Sequence, residues 1–99
     1  MQSDSEVGTL MPRYYFHTLQ GRPFRDPDGE SLSGPAAAHR ASVRIMGEIL
    51  RDGAADFWDA GPFSLICADE TGAVVTGLTA RKISVEDSAR LLHRFVRDA

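Results

Sequence analysis

The side chains whose type and placement could do chemistry are His17, Asp26, Asp28, Glu30, His39 and Cys67, with arginines at Arg90, Arg94 and Arg97. Asp26, Asp28 and Glu30 surround Gly29 in the run DPDGES, which superficially matches the start of a calcium loop. An EF-hand needs a bidentate glutamate at its twelfth position. Counted from Asp26, that position is Ala37, so the run reads as a turn with solvated carboxylates and no metal. His17 precedes this turn and His39 follows it. Two imidazoles with Asp26 or Asp28 between them could hold a transition metal or act as an acid–base pair. The spacings carry no metal-binding periodicity, however, and scattered histidines are the simpler reading. No catalytic residue, metal ligand or cofactor is assigned.

Cys67 stands mid-strand among apolar residues, where a thiol behaves as a small buried hydrophobe. Ser31, Ser33 and Ser84 sit where turns and helix caps need hydroxyls. Trp58, next to Phe57, reads as packed under a connecting segment, or else as an aromatic anchor for a partner. Arg90, Arg94 and Arg97 recur at helical spacing with His93 beside them, a ridge that could lie on phosphates. Glu86 and Asp87 precede Arg90 by four and three residues, so pairs within the helix would neutralise part of it. Arginine near a helix C-terminus also suits the dipole.

These residues must be positioned by one small domain. A chain of 99 residues buries roughly two thirds of its unfolded surface, enough for a single modest core. The net charge of −3 gives no bulk attraction to nucleic acid or anionic membrane. One cysteine leaves no internal disulfide and suits a reducing cytoplasm. No apolar run approaches the ~20 residues that span a bilayer. MQSDSEVGTL at residues 1–10 has neither a basic start nor an apolar segment, so it is not a secretory signal. It reads as a disordered lead, or as an artefact of start-site choice with Met11 as the working start.

Arg13 to Leu19 is dense in β-favouring residues and reads as a strand, with Tyr14, Phe16 and Thr18 on one face. Gln20-Gly21 turns the chain into a short strand, Arg22 to Arg25, which Pro23 confines to an edge. Asp26-Pro27-Asp28-Gly29 has the residue order of a type I turn. A helix begins at Ser33-Gly34-Pro35, where proline occupies a position whose amide needs no partner. Ala38, Ala41, Ile45 and Ile49 form its apolar stripe, widened by Ser42, Met46 and Leu50. Gly53 ends the helix in the place of a left-handed cap. Ala54 to Pro62 has no clear period and reads as a connection. Phe63 to Ala68 and Ala73 to Thr79 flank a turn at Asp69–Gly72 and predict a hairpin. Ser84 then opens a second helix whose stripe is Val85, Ala89, Leu92, Phe95 and Val96.

Four of these segments resemble a known family: MPRYYFH at Met11 to His17, DPDGESL at Asp26 to Leu32, AAAHRA at Ala36 to Ala41, and LICADETGAVV at Leu65 to Val75. The family consists of small proteobacterial proteins that open with an MPRYFFH-like motif, a domain of unknown function. The resemblance implies an acidic turn, a helix beginning near an alanine run, and a final β-hairpin. It implies no catalytic residue and no cofactor. Two features depart from the pattern: residues 1–10 before the opening Met, and the helix that follows Thr79.

The chain is therefore expected to be an α+β domain of order ββαββα, a two-layer sandwich. A four-stranded, mostly antiparallel sheet would pack on the first helix across residues 11–83, with an amphipathic C-terminal helix at residues 84–99. The expected function is that of a non-enzymatic accessory or regulatory module acting through protein contacts, with a homodimer as one form. Leu92, Phe95 and Trp58 are the candidate contact residues. The alternative is an antitoxin-like regulator linked to nucleic acid through Arg90, Arg94 and Arg97; the overall acidity disfavours it. Third comes a small metal-dependent or acid–base enzyme using His17, Asp26 or Asp28, and His39. Residues 1–10 have few apolar anchors, so removing them should leave stability unchanged. A melting temperature lower by more than a few degrees in a chain starting at Met11 would contradict this.

Overall fold

The computed structural model describes residues 11–98, and the expectation for residues 1–10 lies outside them. The elements are β1 (Arg13–Gln20), β2 (Arg22–Phe24), β3 (Glu30–Ser31), α1 (Pro35–Asp52), α2 (Ala54–Ala60), β4 (Phe63–Asp69), β5 (Val74–Ala80) and α3 (Val85–Asp98). The strands form one antiparallel sheet in the order β2-β1-β4-β5, with β3 sharing the β1 edge used by β2. The α+β class and the position of the first helix agree with the expectation.

Alternation along β1 and β4 decides the core. Tyr14 and Phe16 from β1, and Phe63, Leu65 and Cys67 from β4, meet Ala38, Ala41 and Met46 of α1. Small residues on the helix let it approach closely; Ala38, Leu65 and Cys67 have no exposed surface. Ser42 is equally buried and stays satisfied because its hydroxyl donates to the Ala38 carbonyl at 2.8 Å. A bulge in β5 lies opposite Cys67 and Ala68, which pair with Thr76 and Val74, leaving Val75 between them to pack against the core.

Three local expectations change. The sheet has five strands, because Glu30 and Ser31 pair with Tyr14 and Arg13. Two residues are too few to leave a period in sequence. The segment after α1 is a seven-residue helix: Ala54 and Ala55 favour helix, and Phe57 turns inward to the core. Gly53 between the two helices is not left-handed, with φ −113°, and its amide donates to the Ile49 carbonyl.

On the C-terminal side the chain leaves the sheet at Ala80. Ser84 caps α3 as expected, its hydroxyl accepting from the Asp87 amide at 2.9 Å. Every described side chain from Arg81 to Val96 is exposed, and α3 makes no substantial contact with another described element.

Two glycines at turns allow a direct comparison. Gly21 and Gly29 both have positive φ, +82° and +69°. A Cβ at Gly21 would meet nothing, whereas at Gly29 it would lie 2.8 Å from the Tyr14 carbonyl and 2.8 Å from the Tyr15 ring. Gly21→Ala should therefore cost only the left-handed backbone, about 1–2 kcal/mol. Gly29→Ala adds overpacking against a strand and should cost about 2–5 kcal/mol in urea unfolding. Equal losses at the two positions would contradict this.

Candidate functional site

The short strands β2 and β3 pair with the two ends of β1 and leave its middle open on that edge. The Phe16 amide would have no partner there, a costly state for a partly buried donor. The Asp26 carboxylate fills the gap, one oxygen (Oδ2) accepting from the Phe16 amide at 3.0 Å. Its other oxygen accepts from the amides of Asp28 and Gly29 at 3.1 and 3.2 Å, which closes the turn. The Asp26 amide in turn donates to Nδ1 of His17 at 3.0 Å. Arg13 completes the lock: its guanidinium donates to the Asp28 carbonyl at 2.9 Å. The two sequence motifs, MPRYYFH and DPDG, are thus one interlocked unit.

This unit accounts for most of the chemically capable side chains. His17 uses Nδ1 as an acceptor, so that nitrogen carries no proton. Its ring lies nearly parallel to that of Tyr15, with planes 7° apart and centroids at 6.4 Å. His39 is elsewhere: it sits on α1, with Nε2 3.4 Å from the Val75 carbonyl on β5. The shared His17–Asp–His39 arrangement therefore does not form. Among the described residues no three His, Cys, Asp or Glu side chains gather as a metal-holding group. Cys67 is fully buried, and burial pushes its thiol up.

Among the described residues, what remains open is the sheet face away from α1. Tyr15, His17 and Leu19 of β1 lie there beside Ala68, Ile66 and Ser64 of β4. A cleft of about 350 Å³ occupies one end, between Tyr15, His17, Asp26, Asp69 and Glu70. An apolar groove of about 410 Å³ adjoins it through His17 and runs between Leu19, Pro23 and Ile66. Ile66 leans over Gly77 of β5, whose missing side chain keeps the trough shallow but open. Sequence periodicity could have identified this face, since its residues alternate with the core set.

The candidate contact residues also lie in the open. Leu92 and Phe95 are 59% and 73% exposed on α3. Trp58 is exposed on α2, and its ring lies under the Lys82 ammonium at 4.6 Å. On the arginine ridge, Arg90 is paired with Asp87 within the helix and Arg94 is exposed. The Arg97 side chain lies outside the described residues.

Asp26 makes the lock dependent on pH. Partial burial alone raises its pKa, but the amides of Phe16, Gly29 and Asp28 outweigh that and hold it below the usual carboxylate value. Asp69 is lowered similarly by the Thr71 hydroxyl and the amides of its own turn. An unfolded aspartate titrates at about 3.9, so the stability from Asp26 is present above that pH and lost as pH falls through the lower folded value. Asp26→Asn should cost about 1–3 kcal/mol at neutral pH through its lost hydrogen bonds. The gap to the unsubstituted chain should narrow below about pH 4 in urea unfolding. A gap independent of pH would contradict the ionised lock.

With this geometry in view, the chain can be compared with known proteins. The family model described as Domain of unknown function (DUF6894) matches residues 13–81. No curated protein and no solved structure shows a significant match. The matched span includes the whole Arg13–His17 and Asp26–Gly29 lock and both strands of the hairpin, and it ends before α3. The chain belongs to the family of domains of unknown function DUF6894.

Proposed function

We propose that this protein is a non-enzymatic accessory or regulatory module of the cytoplasm that works through protein contacts. The observation that carries this reading is α3. Its stripe of Val85, Leu92, Phe95 and Val96 is between 59% and 85% exposed. Full burial of such side chains is worth roughly 1.5–3 kcal/mol each. A lone helix of 14 residues is also marginal in water without tertiary packing. A partner that covers this stripe would therefore stabilise the helix and be bound by it in one event. The polar candidates for catalysis, in contrast, already have structural work: Asp26 joins a turn to β1 and His17 accepts an amide. No described helix is long and apolar enough to cross a membrane.

The test is retention of a partner by the purified full chain, beside a Leu92→Asp/Phe95→Asp variant. The expected result is a stoichiometric complex on size-exclusion chromatography, made by the full chain and abolished in the variant, while the variant's melting temperature stays within a few degrees. Complexes that form equally well with the variant would sink the reading. A salt-dependent shift on nucleic acid, lost in Arg94→Glu, would replace it with the nucleic-acid-linked alternative.

A further inference from the structure

We infer that the open sheet face is the docking site for α3 of a second copy of this chain, each copy's helix covering the other's sheet. This rests on the protein-contact reading above and names the partner. Two unsatisfied apolar surfaces occur in one molecule: the α3 stripe, and the trough of Leu19, Pro23, Ile66 and Gly77. They match in size. A helix of 14 residues is about 21 Å long, and a strand of seven spans about 23 Å.

The route of the linker favours exchange between copies over folding back. Lys82 lies over the Trp58 ring. Trp58 is adjacent to Phe57, which packs against the core between sheet and α1. This contact directs the chain after Ala80 toward the helical layer, away from its own open face. Only four residues, Arg81 to Ser84, then separate the strand from the helix. A short connection held on the wrong side leaves the stripe to another molecule, and a terminal helix is an element readily exchanged between protomers.

Area and charge agree with a second copy. Val85, Leu91, Leu92, Phe95 and Val96 are each 47–85% exposed. At roughly 100 Å² apiece, with equal area on the sheet, one contact buries on the order of 1,000 Å², and the symmetric pair reaches the size of stable interfaces. Residues 81–99 contain five basic and three acidic side chains; residues 11–80 contain six basic and nine acidic. The tail of one copy thus approaches a body of opposite sign. Arg90 and Arg94 lie opposite the apolar stripe at helical spacing, so they stay in water when the helix docks.

Sedimentation of the full chain tests the inference with two variants, Leu92→Asp/Phe95→Asp on the helix and Leu19→Glu/Ile66→Glu on the sheet. The expected result is a dimer for the unsubstituted chain and a dimer weakened by about 100-fold or more for each variant alone. Mixing the two variants should restore a 1:1 heterodimer through the one intact contact. A second measurement is independent of how the variants fold. A nitroxide on His93→Cys, with the buried Cys67 unlabelled, should broaden the Ile66 and Gly77 amide signals of a separate ¹⁵N-labelled chain. A sheet variant that dimerises like the unsubstituted chain would overturn the docking site in favour of helix pairing. A full chain that is monomeric at high micromolar concentration would overturn the second copy as partner. If that monomer still holds another protein through Leu92 and Phe95, the protein-contact reading survives; if it instead sediments with anionic vesicles through the stripe, that reading falls too.

Discussion

The contact between the Asp26 carboxylate and the Phe16 amide is the constraint on which this fold depends. β1 is the strand shared by β2, β3 and β4, and its two short partners leave a gap along one edge. A buried amide without an acceptor is costly. One carboxylate closes the gap, and its second oxygen closes the turn that carries it. Gly29 follows directly from this arrangement. The turn presses so close to Tyr14 and Tyr15 that no side chain fits there. The turn then hands the chain to β3 and to the start of α1.

With β1 fixed in this way, the two sheet faces have different fates. Tyr14 and Phe16 alternate with Tyr15 and His17, so a single register puts one pair under α1 and the other in the open. The covered face is finished by small residues, Ala38, Ala41 and Ser42, that let α1 come close. The other face keeps apolar character without a covering layer among the described residues, with Leu19 48% and Ile66 37% exposed. A half-covered sheet beside an uncovered amphipathic helix is an incomplete arrangement of layers, because each element buries only one of its apolar surfaces.

The family assignment acquires a physical meaning from these contacts. The span matched by the DUF6894 model contains every residue of the lock, and those residues hold one another: Arg13 grips Asp28, His17 accepts from Asp26, and Asp26 accepts from Phe16. Polar residues in such a motif invite a catalytic interpretation. Here their hydrogen-bonding capacity goes largely to backbone groups. α3 lies beyond that span, so the exposed apolar stripe belongs to a part of the chain outside the matched domain.

Local pattern was enough to determine much of the chain. The alternation of β1, the stripe of α1, the proline at its start, the glycine turn of the hairpin and the serine cap of α3 are short-range effects. Each is decided by neighbours within a few residues. β3 and α2 escaped because a two-residue strand has no period and a seven-residue helix completes barely two turns. Only tertiary structure decided what the polar residues do. Whether Asp26 would ligate a metal or accept from Phe16, ten residues away, depends on where β2 and β3 stop along β1. Likewise, His39 was separated from His17 by the layering of helix on sheet, which no spacing encodes. The amphipathic stripe of α3 was legible from composition and period alone, but its exposure was not. Apolar residues at helical spacing mark a surface suited to burial; only the folded chain shows Val85, Leu92, Phe95 and Val96 lying exposed.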